Sequence, residues 1–204
     1  MNILDVGTGD GGWNEIQDVF PRSRNIKSSW LYEYGGSYAY GIDIDEKKIE
    51  KARRRINNGA RFFVMNAQET SFSSGFFHII HMNDVLSSLT NNYFIIKETK
   101  RILSNSGILL LKETVNNLVF FLNALPLRIL FGKAKDNIDL FQTDAYLNDL
   151  RESGFKITDE EYYWYFEILG WTSLWLCGIV SRFLKIIRLN RVFCRKMVVT
   201  AIKL

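Results

Sequence analysis

The feature that most constrains the fold is a glycine-rich turn directly after a short apolar run near the start of the chain. Met1 to Leu4 are followed by Asp5-Val6-Gly7-Thr8-Gly9-Asp10-Gly11-Gly12. An apolar run that ends in glycines predicts a buried strand, a tight turn and the start of a helix, here over Trp13 to Phe20. Glycine adopts backbone angles closed to other residues and has no side chain, so such a turn lets a ligand approach the main chain and the helix amides.

The turn fits two classes of ligand, and its charges favour one of them. Gly7, Gly9 and Gly12 also match the G-x-G-x-x-G fingerprint of dinucleotide-binding proteins. A dinucleotide would bring a pyrophosphate close to the carboxylates of Asp5 and Asp10, which would repel it. S-adenosylmethionine has no phosphate, and its sulfonium and amino groups are both cationic. The acidic neighbours therefore favour S-adenosylmethionine.

At this turn the sequence resembles motif I of the class I S-adenosylmethionine-dependent methyltransferases, whose form is acidic-x-Gly-x-Gly-x-Gly. The resemblance continues, in the order typical of the small-molecule (methyltransferase type 11-like) branch, through Tyr40 to Asp45, Asn66-Ala67 and Leu103 to Leu111. It implies S-adenosylmethionine as cofactor. It also implies an α/β fold, a Rossmann-like doubly wound seven-stranded sheet that is mostly parallel with an antiparallel last strand.

The cofactor contacts are predicted from the ends of the strands. Asp43 ends the second strand, and because an ionised carboxylate only accepts hydrogen bonds, a ribose diol is its natural partner. The resembling family usually has an aspartate where Asn66 stands, contacting the adenine amino group. The side-chain oxygen of Asn66 can still accept that bond, without a charge. The predicted cofactor-binding residues are Asp5, Gly7, Thr8, Gly9, Gly11, Asp43, Ile44, Asn66, Ala67 and Asn83.

The length of 204 residues predicts one domain over residues 1–204, which the resemblance implies is a methyltransferase domain, with apolar insertions near 115–135 and 166–192. The predicted strands after the first are Ser37–Ile44, Arg61–Met65, Phe76–Met82, Ile108–Lys112, Phe155–Tyr163 and Lys196–Leu204. The predicted helices between them are Glu46–Asn57, Tyr93–Leu103 and Thr143–Ser153, with a turn at Ser104–Gly107. The resembling family usually has one or two helices before the first strand, so we expect an N-terminally trimmed form of this fold.

The sequence offers three candidate general bases but no catalytic signature. Ligands bind beyond the carboxyl ends of the strands in an open parallel sheet, which places His81, Asp84 and Glu113 near the reaction. A histidine in a buried strand is, however, more often a hydrogen-bonded core residue than a base. Cys177 and Cys194 lack the spacing of metal ligands, and no metal is expected.

Two apolar segments favour an apolar methyl acceptor. Residues 115–131 are unusually apolar, and no charged residue lies between Ile168 and Ser181, a run too short for a membrane-spanning helix of about 20 residues. Arg182, Lys185 and Arg188 then recur at helical spacing, which is typical of a helix at a membrane surface or of a lid over an apolar substrate. A core hairpin with a solvated basic face is the alternative. We expect a small, apolar or lipid-linked acceptor and keep membrane-surface contact through 168–191 as an open option.

Composition leaves two further functions open. The formal net charge of +4 is modest and does not favour nucleic acid as a partner, although an RNA methyltransferase would use the excess of arginine and lysine. A non-catalytic S-adenosylmethionine-binding subunit is the rival outside the enzymes. The chain opens directly on the first strand, so a cytoplasmic protein is expected, peripheral to the membrane if the basic segment binds lipid.

Overall fold

A computed structural model describes residues 1–11, 38–57, 59–89, 91–115, 142–163, 183, 186 and 196–204. Within them the chain forms one seven-stranded sheet with helices packed against it. The strands are β1 (Ile3–Val6), β2 (Ala39–Asp43), β3 (Arg61–Val64), β4 (Phe77–Asn83), β5 (Leu103–Thr114), β6 (Phe155–Tyr163) and β7 (Lys196–Lys203). The helices are α1 (Glu46–Arg55), α2 (Tyr93–Ile102) and α3 (Gln142–Glu152), with a short 3₁₀ helix at Leu86–Ser88.

The strand order β3-β2-β1-β4-β5-β7-β6 confirms the predicted fold class. Strands β1 to β5 pair in parallel, while β7 lies between β5 and β6 and is antiparallel to both. The order reverses at the centre, where Val6 pairs with Ile42 of β2 on one side and with Met82 of β4 on the other. In open α/β sheets the crevice at such a switch point is where ligands bind.

Burial explains why the central strands form this sheet. All four residues of β1 are buried, and Leu4 and Val6 belong to the main apolar core, as do Ile80 and Met82 of β4. Each fully buried side chain of this size contributes about 1.5–3 kcal/mol. A near-continuous apolar strand is expected where helices cover both faces of a parallel sheet.

Helix α1 begins where the sequence predicts. The Asp45 side chain accepts hydrogen bonds from the backbone N–H groups of Lys47 (2.9 Å) and Lys48 (3.3 Å), which is N-capping geometry. Only Ile49 and Ala52 of this helix are buried, and its remaining residues form a charged, exposed face. The cap fixes the point at which the chain leaves β2, directly after Asp43.

The predicted turn at Ser104–Gly107 is wrong. Strand β5 begins at Leu103, immediately after α2, and Leu103 pairs with Phe77 before the register shifts at Ile79. Ser106 has φ +60°, so the turn-forming residues here make an irregularity inside a long strand rather than a connection.

Apart from β6, the other strands differ from the predictions by one or two residues at one or both ends. Strand β1 is Ile3–Val6 rather than Met1–Leu4, which places Asp5 inside the strand. Strand β2 is shorter than predicted at both ends, β3 stops at Val64, β4 is shifted to Phe77–Asn83, and β6 is as predicted.

Several predicted features lie outside the described residues. They are the helix over Trp13–Phe20, nearly all of both apolar segments, and Arg182, Lys185 and Arg188. Across the described ranges no helix is long and apolar enough to cross a membrane. The same ranges contain no group of three or more His, Cys, Asp or Glu side chains that could hold a metal ion.

An ion pair between the buried Glu98 and the partly exposed Arg101 ties α2 to the connection between β3 and β4. The Glu98 side chain is 10% exposed and accepts two 2.7 Å hydrogen bonds from the guanidinium of Arg101. It also accepts hydrogen bonds from the backbone N–H (2.7 Å) and the hydroxyl (2.5 Å) of Thr70. Burial acts to raise the pKa of Glu98, but the hydrogen bonds from Arg101 and Thr70 and the charge of Arg101 outweigh it and lower the pKa to about 2.

We expect Glu98→Gln to reduce the free energy of unfolding by about 1–3 kcal/mol at pH 7, because it removes one acceptor from this network. The folded-state pKa lies below the ordinary value of 4.5, so the stabilisation is present above pH 4.5 and is lost as the pH falls toward 2. Urea unfolding at several pH values measures both effects, and the difference between wild type and variant should shrink on acidification.

Glu50→Gln is the matched control. Glu50 pairs with Arg54 at 3.2 Å on the exposed face of α1, and such surface pairs contribute about 0–1 kcal/mol. Equal destabilisation by the two substitutions, or a Glu98 effect that persists unchanged at low pH, would contradict this assignment.

Candidate functional site

Three glycines give the turn after β1 its shape. Gly7, Gly9 and Gly11 have φ angles of +69°, +58° and +67°, a region that other residues rarely adopt. The backbone N–H groups of Gly7 and Thr8 donate to the carbonyl oxygen of Ile42 at 2.8 and 3.0 Å. The turn is therefore anchored to the carboxyl end of β2.

The three glycines differ in what surrounds them. A Cβ atom on Gly7 would lie 2.7 Å from Cγ2 of Val85, and one on Gly11 would lie 2.5 Å from Cδ1 of Ile56. A Cβ atom on Gly9 would meet no described atom within 4 Å. Close packing and positive φ therefore favour glycine at positions 7 and 11, whereas no described atom fills the space beside Gly9, so the described residues leave the main chain accessible to a ligand.

Asp43 connects this turn to β2. Its Oδ2 accepts a hydrogen bond from the Gly9 N–H at 2.9 Å, and its Oδ1 accepts one from the Asp45 N–H at 2.9 Å. A carboxylate has about four acceptor sites, so two of them remain for ligand hydroxyls. Asp43 thus has a structural role that the sequence did not reveal, and it retains the capacity to bind a diol.

Asp5 and His81 form a buried pair between β1 and β4. The two residues are register partners, and Asp5 Oδ1 lies 2.7 Å from Nδ1 of His81. Because an ionised carboxylate can only accept, this contact assigns the proton to Nδ1. His81 is accordingly a hydrogen-bonded core residue, the alternative that the sequence left open. The predicted contact of Asp5 with the cofactor stays a prediction.

The other two candidate bases hold the loop after β4. Glu113 is fully buried, and its carboxylate accepts hydrogen bonds from the backbone N–H groups of Val85 (2.9 Å), Leu86 (2.9 Å) and Ser87 (3.1 Å). Burial raises the pKa of Glu113, and the hydrogen bonds from Leu86 and Ser87 act in the opposite direction. Glu113 therefore caps the 3₁₀ helix.

Asp84 secures the same loop from its other end. It has φ +55°, and its Oδ1 accepts 2.7 Å hydrogen bonds from both the N–H and the hydroxyl of Thr114. Sequence reasoning missed both holding roles. The sequence did contain a signal for these roles. An acidic residue lies at the end of β5, and the neighbouring strand, β4, ends in a short polar loop.

The adenine side of the predicted site carries an exposed apolar residue. Ile44 follows Asp43 directly and is 74% exposed, which suits a residue that packs against a planar ring. Asn66 follows β3 by two positions, and its Oδ1 already accepts the Gln68 N–H at 2.9 Å. One lone pair of that oxygen remains for an adenine amino group. The half-buried Ala67 lies between Asn66 and Gln68 in the sequence.

Asn83, at the carboxyl end of β4, presents a buried acceptor. Its Oδ1 is inaccessible to solvent and has no hydrogen-bond partner among the described residues, a property shared with Oδ1 of Asn92. Buried polar atoms are nearly always hydrogen-bonded, so each exception needs an explanation. Together with the open space at Gly9 and the spare acceptor sites of Asp43, Asn83 gives the strand ends a set of groups that fits S-adenosylmethionine.

Comparison with known proteins identifies the family. A family model described as a methyltransferase domain matches residues 1–160. Ribosomal protein L11 methyltransferase from Dictyoglomus turgidum is 29% identical over 167 residues, which is 81% of this chain and 42% of that protein. Equisetin synthetase from Fusarium heterosporum is 27% identical over 120 residues, 57% of this chain and 3% of that protein. The chain spans less than half the length of these curated relatives.

Solved structures show the same fold. A methyltransferase from Methanosarcina mazei described as S-adenosylmethionine-dependent has a TM-score of 0.66 and 22% identity, over 100% of this chain and 92% of that chain. Geranyl diphosphate C-methyltransferase from Streptomyces coelicolor, solved with S-adenosyl-L-homocysteine, has a TM-score of 0.62 and 14% identity, over 100% of this chain and 71% of that chain. Because the family model covers most of the sequence and the strand ends fit the ligand, the chain belongs to the class I S-adenosylmethionine-dependent methyltransferases, with S-adenosylmethionine as cofactor.

Proposed function

We propose that this protein transfers a methyl group from S-adenosylmethionine to a small, apolar or lipid-linked acceptor. The observation that carries the acceptor class is the exposure of Phe183 and Ile186, which are 57% and 78% exposed at helical positions. Residues three apart lie on one face of a helix, so these side chains share an apolar surface. Large exposed apolar patches mark binding sites for ligands, partners or membranes, and we take these two side chains as part of one.

In this proposal, the described residues bind the cofactor and orient it. The cofactor supplies an electrophilic methyl group, and transfer requires in-line alignment with the acceptor and exclusion of water. Asp43 holds the ribose hydroxyls and Ile44 covers the adenine, while the open backbone at Gly9 lets the cofactor approach. His81, Asp84 and Glu113 each have a hydrogen-bonding role within the fold. The proposal therefore assigns catalysis to positioning and names no general base.

The surroundings of Phe183 and Ile186 in the sequence support a lipid-like acceptor. Arg182, Lys185 and Arg188 interleave with these apolar residues, and the uncharged run from Ile168 to Ser181 precedes them. Basic and apolar residues at helical spacing suit a substrate or surface with an anionic head and an apolar tail. Geranyl diphosphate C-methyltransferase, which has the same fold, was solved with a molecule of this kind. It is a precedent for such a substrate on this fold and supports nothing further about this chain.

Two rival functions can be separated by experiment. A non-catalytic subunit would bind S-adenosylmethionine in a calorimetric titration and release no methyl group to any acceptor. An RNA methyltransferase would transfer the methyl group to RNA in preference to apolar small molecules. Methyl release assayed with RNA and with isoprenoid alcohols therefore distinguishes all three functions.

We expect Gly9→Ala to weaken binding of S-adenosylhomocysteine at least about tenfold, or ~1.4 kcal/mol, because its Cβ would occupy the space that the ligand uses. Gly75→Ala is the matched control. Gly75 also has positive φ, and its Cβ would lie 3.8 Å from the nearest described atom, an ordinary contact. Both variants should lose about 1–2 kcal/mol of stability from backbone strain, and only Gly9→Ala should lose affinity in calorimetry. Equal affinities for the two variants would place the ligand elsewhere.

We expect the protein to sediment with anionic liposomes at low salt and to dissociate as salt is raised, since each basic residue near such a surface contributes about 1 kcal/mol. Replacing Arg182, Lys185 and Arg188 with glutamine should reduce sedimentation and leave affinity for S-adenosylhomocysteine unchanged.

The control replaces Lys47, Lys48 and Lys51, on the exposed face of α1, with glutamine. It removes the same charge and should leave most liposome binding in place. An absence of binding by the wild type at low salt, or equal losses in the two triple variants, would favour an enzyme that acts on free small molecules.

A further inference from the structure

Two aromatic side chains at the start of α2 are exposed next to a lysine. Tyr93 and Phe94 are 55% and 53% exposed, and their rings meet edge to face with centroids 5.4 Å apart. Nζ of Lys97 lies 5.7 Å from the centroid of the Tyr93 ring. We propose that these three residues form an acceptor surface, on which the rings contact the apolar part of the methyl acceptor and Lys97 contacts an anionic group on it. The inference rests on the methyltransferase function proposed above.

The connectivity of the sheet puts the acceptor surface at the edge where the cofactor is expected. Helix α2 joins β4 to β5, which pair in parallel, so the chain leaves the carboxyl end of β4 and returns to the amino end of β5. The start of α2 therefore lies at the carboxyl edge of the sheet, as does the glycine turn after β1. Strand β5 also ends at this edge, and the first apolar segment follows it in the sequence. Because ligands of open α/β sheets bind at this edge, the acceptor surface and the predicted cofactor site share one side of the molecule.

The packing of α2 explains why these rings stay outside the core. The helix contacts β5 and α3. Its buried residues are Ile95, Ile96, Glu98, Thr99 and Ile102. Tyr93 and Lys97 are four residues apart and both exposed, so they lie on one outward face of the helix. A single exposed apolar residue is ordinary, whereas two rings in contact form a continuous apolar surface of the kind that binds ligands.

The charge of Lys97 favours an acceptor with an anionic group. Lys97 forms no ion pair within the described part of the chain, and the first turn of α2 contains no acidic residue. The acid of this helix, Glu98, is buried and engaged by Arg101 and Thr70, so an anion can approach Lys97 without displacing a carboxylate. A second copy of this chain docked through the same surface would bring a second Lys97 ammonium close to the first, and like charges repel. The acceptor surface therefore fits an amphiphile, an apolar chain with an anionic head.

The test uses calorimetric titrations of the protein saturated with S-adenosylhomocysteine. The probes are decyl phosphate and decanol, which share one apolar chain and differ in the anionic head, both below the concentration at which they aggregate. We expect the double variant Tyr93→Ala/Phe94→Ala to bind both probes at least about tenfold more weakly than the wild type, because the apolar contact is lost. Lys97→Gln should weaken binding of decyl phosphate about three- to fivefold and leave binding of decanol unchanged. Every variant should keep the wild-type affinity for S-adenosylhomocysteine.

Tyr38→Ala and Lys51→Gln are the matched controls. Tyr38 is 58% exposed and directly precedes β2, at the opposite edge of the sheet, and Lys51 is exposed on α1. Both variants should keep the wild-type affinity for both probes. If the double variant does not fold, Tyr93→Ala and Phe94→Ala replace it singly, each with an expected loss of about threefold or more.

The outcomes separate this inference from the function beneath it. If the wild type does not bind S-adenosylhomocysteine, the cofactor assignment itself fails. If the wild type binds S-adenosylhomocysteine but neither probe, or if the aromatic variants lose no more affinity than Tyr38→Ala, the acceptor surface is overturned and the cofactor assignment stands. Equal losses for the two probes in Lys97→Gln would also overturn it, because the lysine would then not recognise the charge. A wild-type dimer that the double variant converts to a monomer in analytical ultracentrifugation would make a second copy the occupant and would overturn the proposal.

Discussion

The central interaction of the site is the hydrogen bond from the backbone N–H of Gly9 to the carboxylate of Asp43. It joins the glycine turn after β1 to the end of β2, two places that are far apart in sequence and adjacent in the sheet. The same carboxylate also accepts the Asp45 N–H, so the turn and the start of α1 share one anchor. A ligand that binds the turn and the Asp43 carboxylate together meets a surface that is already ordered, and little of its binding free energy is spent on organising the protein.

The opposite wall of the site is organised by two further carboxylates, the buried one of Glu113 and the partly buried one of Asp84. Glu113 and Asp84 hold the loop after β4 through backbone hydrogen bonds that cross from β5, and Val85 of this loop packs against Gly7. Both walls therefore meet at the glycine turn. This arrangement explains why Asp84 and Glu113, which have the chemistry of general bases, have a structural role. Their carboxylate oxygens accept hydrogen bonds from main-chain amides and thereby fix the position of the loop after β4.

The sequence predicted the parts of this structure that depend on local pattern. The glycine turn, the acid at the end of β2 and the start of α1 follow from residue types and spacing, the antiparallel β7 follows from the family resemblance, and the structure confirms all four. The pairing of Asp5 with His81 and the capping role of Glu113 depend on which strands are neighbours, which spacing does not encode. The long β5 was missed because its turn-forming residues make an irregularity within a strand. The contacts of the predicted cofactor residues with the ligand remain predictions.

The measurement that tests the account most directly is a pair of calorimetric titrations of the wild-type protein, one with S-adenosylmethionine and one with a nicotinamide dinucleotide. Both ligands suit a glycine turn at the end of a first strand, and they differ in the charge that they bring to it. The acids in and beside this turn should favour the cationic cofactor and repel a pyrophosphate. The account predicts saturable binding of S-adenosylmethionine and none of the dinucleotide at the same concentration. Preferential binding of the dinucleotide would contradict it.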